Sequence, residues 1–272
     1  MTSQFAAAVS VPDDEINLAR AALLVARDAY PDLDPDPYLA QLDAWAESIR
    51  PTIGARRDGQ PFEALNGLLF DRLGFIGNTS DYYDPRNSYL NDVIDRRTGL
   101  PILLSAIYLE VGWRLGLPLS GVGLPGHFIV RCEADARAWF IDPFDRGKVL
   151  SELDCARLAQ QSTGSDLPFS RDLLQRVTRR QILTRMLNNL RAIYIQREML
   201  AKAKPVMERL VDLNPDSPEH VRDLGLVLFR LGTYREAIDR LESYFALDPR
   251  AGDLDSMRQV IFAARSEMTR WN

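Results

Sequence analysis

Apolar positions recur at helical spacing through the first part of the chain. Over 15–30 the side chains Ile16, Leu23, Leu24 and Ala26 share a face behind Asp13 and Asp14, and acidic residues favour a helix start; Pro31 ends the run. The string 31–37 (PDLDPDP) reads as a turn and cap before a second helix over 38–49, with Leu39, Leu42, Trp45, Ala46 and Ile49 as its apolar stripe. A third helix is predicted over 61–73 from Phe62, Leu65, Leu68, Leu69 and Leu73; Gly74 and Gly77 then break the pattern ahead of a polar, aromatic loop over 78–88. From 89 to 115 the pattern predicts helix, turn and a longer helix that is apolar on most faces and so buried on nearly all sides, with Gly116 and Pro118 ending it.

The period then changes. Segments 120–124, 127–132 and 138–142 are short branched or aromatic runs bounded by Gly, Pro and Asp, which predicts strands, with 133–137 as the turn between the last two. A helical stretch follows over 152–161, and 171–272 returns to helices with no further strand expected. Helices, a small antiparallel sheet, then helices make an α+β fold ending in an all-α module. Expected limits are an N-terminal helical extension over 1–42, a core over 43–170 and the helical module over 171–272.

That module repeats. Asn214-Pro215 and Asp248-Pro249 lie 34 residues apart, and the same offset relates Leu190 to Leu224, Ala203 to Ala237 and Leu213 to Leu247. A unit of this length is a helical hairpin that hides its apolar face only by stacking on a neighbour. Leu224, Gly225, Leu231, Gly232, Tyr234, Ala237, Phe245 and Pro249 resemble the tetratricopeptide repeat (TPR) pattern, giving two repeats and a closing helix over 255–268. Two repeats are few for a free-standing solenoid, so packing against the core is expected.

Composition narrows the function classes. The formal charge of −5 over 272 residues gives no global field for nucleic acid or an anionic membrane. Two cysteines, Cys132 and Cys155, form no CxxC or Cys/His cluster, so neither a structural metal site nor a disulfide framework is expected, and no cofactor motif is present. Residues 1–12 lack the basic and long apolar regions of a signal peptide, and no stretch is long enough to span a membrane; a cytoplasmic protein is expected.

The chemical candidates centre on one of only two histidines. His127, in Gly123-Leu-Pro-Gly126-His127-Phe128, opens a predicted strand, and the neighbouring strand ends at Asp142-Pro143. Across a hairpin whose paired residue numbers sum to 269 or 270, Asp142 falls opposite or diagonal to His127. Such a pair is the base half of a nucleophile/His/Asp triad, the acid fixing the ring's tautomer.

At Arg97-Thr-Gly99-Leu-Pro101, Leu115-Gly-Leu-Pro118, Gly126-His127-Phe128 and Phe140-Ile-Asp142-Pro143 the chain resembles the transglutaminase-like superfamily. A core of this kind followed by TPRs resembles, more narrowly, the bacterial SirB family, over roughly 43–272. The resemblance implies a degenerate transglutaminase/papain-like core in which His127 and Asp142 remain. It puts the nucleophile near the start of the buried helix, where Pro101, Ile102 and Leu103 stand and no thiol is available. Cys132, five residues along the strand from His127, points to the other face about 16 Å away, and Cys155 lies beyond the sheet. Ser105, one turn further along the helix, is the alternative nucleophile for a hydrolase or acyl-transfer reading; its other reading is a small helix-packing residue.

Binding candidates are Arg97 and Gly126 beside the core motifs and Arg180, Arg185, Asn188, Asn189 and Arg191 in the helical module. Over 171–204 nine basic side chains face two acidic ones, a local balance of +7. Such a stripe is a solvated helix face or a seat for an acidic protein, peptide or nucleic acid. Without interleaved aromatics for base stacking, nucleic acid ranks below protein. His220 is expected at the solvated surface. A protein or peptide in the TPR groove is the leading partner expectation, with a non-catalytic scaffold or regulatory role.

Overall fold

The computed structural model describes residues 3–55, 60–134, 137–163 and 170–270. The chain forms two compact units: Val11–Met186, and a second made of Met1–Ser10 together with Leu187–Asn272. An α+β core followed by TPR helices is the architecture found.

The first helix, α1 (Gln4–Val9), belongs to the second unit; Ser3 caps it by accepting from Ala6 N at 3.0 Å. In the first unit Asp13–Glu15 forms a 3-10 turn and α2 runs Leu18–Ala26, capped by Asn17, whose Oδ1 accepts from Arg20 N at 2.9 Å. The helix therefore starts later than the acidic run suggests, because the asparagine is the better cap. Then come α3 (Pro35–Ala55), longer than expected and carrying Pro51 within it, and α4 (Pro61–Asn66), which widens into a π-turn over Gly67–Arg72. Strand β1 (Ile76–Gly77) pairs in parallel with β2 (Thr98–Gly99), a pairing the sequence did not announce; α5 (Leu90–Arg96) lies between them. Helix α6 (Pro101–Arg114) is buried from Pro101 to Gly112, as its apolar faces predict.

The main sheet comprises β3 (Leu119–Val122), β4 (Ile129–Ala134), β5 (Arg137–Asp142), β6 (Lys148–Leu150) and β7 (Arg176–Val177), in the order β6-β5-β4-β3-β7 with every neighbouring pair antiparallel. Strand β7 corrects the expectation of no strand after 171. Helix α7 (Glu152–Thr163) supplies Cys155 to a cluster with Ile129, Phe140 and Leu150 from the sheet. Cys132, alternating with Ile129 and Arg131 along β4, lies near Tyr108 of α6, whose phenol is raised well above its ordinary pKa by burial first and by Cys132 second.

The register corrects the expected hairpin. Val130 lies opposite Ile141 and Ala134 opposite Arg137, so only residues 135 and 136, which lie outside the described residues, separate the strands. Paired numbers sum to 271, because the turn is tighter than a loop over 133–137.

The second unit is built from α8 (Arg179–Gln196), whose interior holds the boundary between units, α9 (Leu200–Leu213), α10 (Pro218–Arg230), α11 (Tyr234–Leu247) and α12 (Leu254–Arg270). Gly225 allows α10 and α11 to cross closely: a Cβ there would meet Leu241 at 2.9 Å. Helix α1 packs on α9, burying Phe5 and Val9 to 1 % exposure, with the Arg209 guanidinium 5.5 Å from the Phe5 ring. No helix among the described residues is long and apolar enough to cross a membrane.

Candidate functional site

His127 stands two residues before β4, in a turn opened by Gly126 (φ 67°) and closed by His127 N donating to Leu124 O at 3.2 Å. Arg185 holds this turn from α8, its Nη2 donating to Leu124 O at 2.7 Å and His127 O at 2.8 Å, with its guanidinium 5.6 Å from the Phe128 ring centre. Although the register differs from the expected one, the two side chains meet: His127 Nε2 lies 2.9 Å from Asp142 Oδ2. The other oxygen, Oδ1, accepts from Phe144 N at 2.9 Å and caps the 3-10 turn Pro143–Asp145. Phe144 in turn meets the imidazole edge-on, at 5.8 Å between ring centres, and packs over Gly77, where a Cβ would come within 2.5 Å of the Phe144 ring.

Both members of the pair are buried, His127 to 8 % and Asp142 to 3 % exposure. A carboxylate accepting from Nε2–H leaves Nδ1 as the basic nitrogen. Nδ1 has no hydrogen-bond partner among the described residues. The carboxylate fixes the orientation of the ring.

What stands opposite such a base decides the chemistry. Helix α6 starts at Pro101 with Leu100 as an apolar N-cap, and Pro101, Ile102 and Leu103 are all buried. Ser105 is 0 % exposed, and its Oγ donates to Phe128 O at 3.3 Å, spending the hydroxyl on a helix-to-turn contact. Burial pushes the Cys132 thiol up to about 11, with Glu133 adding to the effect. Burial also pushes the Cys155 thiol up to about 12, with smaller contributions from Asp154 and Asp142. Cys155 thus comes within electrostatic range of the dyad's acid, yet sits in an apolar cluster as a protonated thiol at neutral pH.

One part of the site had no motif to announce it. The loop before α5 is held by buried side-chain amides. Asn87, fully buried, accepts from Asn78 Nδ2 at 3.1 Å and donates to Asp81 O at 2.7 Å and Tyr82 O at 3.3 Å. Asn78 Oδ1 accepts from Ser80 N and Asp81 N at 3.1 and 3.0 Å. The loop is stitched to the start of α6, with Asn78 N donating to Gly99 O and Leu100 N to Asn87 O. It presents Tyr82 and Tyr83, edge-to-face at 5.4 Å and 38 % and 59 % exposed. Burial raises the Tyr82 phenol and the nearby Arg185 cation opposes that rise. Eight polar residues in the eleven of 78–88, flanking the adjacent Tyr82 and Tyr83, were the available signal.

The remaining predicted binding residues do not converge. Arg97, left-handed at φ 59°, lies 4.6 Å over the Trp45 ring and 4.9 Å over the Phe75 ring, and burial lowers its pKa. The backbone N–H groups of Arg179 and Arg180 donate to the two carboxylate oxygens of Asp13 at 2.9 and 2.8 Å, capping α8. In the repeat unit Asn188 Oδ1 is buried without a hydrogen-bond partner, Asn189 is half-buried, and Arg191 pairs with Asp223 at 3.1 Å.

The basic stripe is broken up in the same way. Arg171 pairs with Glu152 at 3.0 Å, Arg176 with Glu133 at 2.8 Å and Lys204 with Glu236 at 3.2 Å, while Arg179 stacks on Trp113 and donates to the carbonyls of Asp14 and Ile16. Much of the +7 surplus of 171–204 is thus met by acids and carbonyls from other segments. A ladder of alternating charge links Arg191, Asp223, Arg222 and Asp253. His220 lies beside it, half-buried, with Nδ1 buried and unpartnered; burial first, and the Arg191 charge second, lower its pKa, so it is not the solvated surface residue expected. Among the described residues no group of three His, Cys, Asp or Glu side chains is placed to hold a metal ion.

Residues 36–188 match the model of the transglutaminase-like superfamily, and 190–261 that of the tetratricopeptide repeat. A UPF0162 protein of Xylella fastidiosa is 39 % identical over 254 residues, covering 92 % of this chain and 90 % of its own. A UPF0162 protein of Pasteurella multocida is 30 % identical over 178 residues, covering 65 % of this chain and 67 % of its own. Human F-box only protein 21 is 31 % identical over 210 residues, 70 % of this chain but 32 % of that protein. By the superfamily match across more than half its length and the near full-length likeness to a UPF0162 protein, the chain belongs to the transglutaminase-like superfamily, with tetratricopeptide repeats following the core.

Proposed function

We propose that the chain is a SirB-like interaction protein: its repeat unit engages another polypeptide, and its transglutaminase-like unit keeps an oriented His127/Asp142 pair for contact with a ligand, without thiol chemistry. The observation that carries the reading is the apolar helix start at Pro101, Ile102 and Leu103 in a unit whose two described thiols are buried and protonated. A base without an attacking group orients and binds; it does not transfer acyl groups. The repeat match supports the polypeptide partner, since stacked helical hairpins expose a concave face suited to a chain segment.

The test is site-specific photo-crosslinking in a bacterial cell, with the crosslinker at Ala192 of α8 and, as control, at Glu242 of α11. Both positions are exposed. The reading expects a discrete protein adduct from Ala192 and none from Glu242. Equal adducts from both, or none from either, would overturn it.

The alternative, a hydrolase or acyl-transfer enzyme using His127, Asp142 and Ser105, draws on the 2.9 Å His127 to Asp142 contact. It requires Ser105 to give up its bond to Phe128 O.

A further inference from the structure

Helices α8, α10 and α12 of the repeat unit carry an apolar rail. At the 34-residue period Ala192, Leu226 and Val260 are equivalent positions on α8, α10 and α12, and Ile195, Phe229 and Ala263 form a second equivalent set one turn along. Between α8 and α10 the rail opens into a cavity of about 540 Å³ lined by Ala192, Ile195 and Leu226. That volume falls within the ~300–1,000 Å³ range of pockets that enclose ligand groups. Side chains of the rail are half-buried or exposed: Leu226 and Val260 rest part of their surface on the buried cluster around Val221 and Ile261, whereas the neighbouring Leu224 and Leu228 are 1 % exposed.

Charge at the cavity is uneven. At one side Arg191 and Asp223 satisfy each other at 3.1 Å. At the other, Arg230 is the last residue of α10 and exposed, with no ion pair or hydrogen bond among the described residues. Apolar positions that recur along three helices and open into one cavity suit a chain with successive apolar side chains better than a small molecule, and the one cation at the cavity's rim without an acidic partner among the described residues suits a carboxylate.

We infer that this groove takes a peptide segment with two bulky apolar anchors and a carboxylate beside one of them, the carboxylate seated at Arg230. The inference rests on the polypeptide-partner reading and gives that partner its chemistry.

The probes are three fluorescein-labelled twelve-residue peptides with two leucines four positions apart in a serine and glycine background. They differ only in a glutamate, lysine or serine flanking the second leucine. Anisotropy titrations use the full chain, alongside Ala192→Trp, which fills the cavity from an exposed position, and Arg230→Glu; circular dichroism checks that both variants fold. The glutamate peptide is expected to bind tightest, Ala192→Trp to weaken it by about tenfold, and Arg230→Glu to reverse the order in favour of the lysine peptide. Equal binding of all three peptides by the native chain, or affinity unmoved by Ala192→Trp, overturns the inference. If a partner still crosslinks at Ala192 in that case, the partner reading stands while this chemistry fails. A charge-dependent series without any cellular adduct sinks the partner reading instead.

Discussion

Asp142 divides its carboxylate between two donors, the buried His127 ring and the half-buried Phe144 backbone. Asp142→Ala leaves those donors without acceptors, at a cost of about 1–3 kcal/mol; a urea melt of the full chain should show that loss, and unchanged stability would mean that solvent replaces both bonds. The thiols set a second expectation. A thiol held above its ordinary pKa of 9.0 contributes stability in full below pH 9, because both folded and unfolded chains then keep the proton. As pH rises, the unfolded chain loses its proton first, so stability falls until the folded pKa is passed, about 11 for Cys132 and about 12 for Cys155. Between pH 9 and 11 the slope of stability against pH should be shallower in Cys155→Ala than in the parent chain; parallel slopes would show the thiol to be solvated. In the native state at neutral pH neither cysteine should react with a thiol reagent.

Among the elements, those with a period of their own were legible. Helix α6 is apolar on most faces and fully buried, and the repeats follow a 34-residue offset that needs only local sequence to be seen. Register depends on the length of one turn, so a hairpin read as closing over five residues shifted every pairing, while the side chains of His127, two residues before β4, and Asp142, at the end of β5, still reached each other. Strands of two or three residues, such as β1, β2 and β7, carry too few positions for a period of two to show. The asparagine web around Asn87 left no periodic trace because most of its partners are backbone groups. Helix α1 is likewise only six residues long, and its role lies in the long-range seat of Phe5 and Val9 on α9. Phe5→Ala should lower the stability of the repeat unit by about 3–5 kcal/mol, read as faster amide exchange in α9; exchange at the parent rate would mean that α1 is dispensable.

For the molecule as a whole, a local surplus of positive charge turned out to be distributed into ion pairs, caps and stacking contacts, while the chain keeps a net charge of −5. Non-specific affinity for duplex DNA should accordingly be weaker than about 10⁻⁴ M at 50 mM salt; a tighter, salt-sensitive complex in a filter-binding assay would reopen a nucleic-acid role. The same distribution leaves Arg230 as a cation on offer to a partner. The seat of α1 bears on how the polypeptide matures. Gln4–Val9 leaves the ribosome some two hundred residues before the helix that receives it, Leu200–Leu213. The segment therefore waits, unsheltered, while the whole α+β core is translated. Docking of α1 on α9 follows completion of the sheet, and a protein fused ahead of Ser3, whose hydroxyl bonds to Asp212 and Arg209, would burden that docking step rather than the earlier-made sheet.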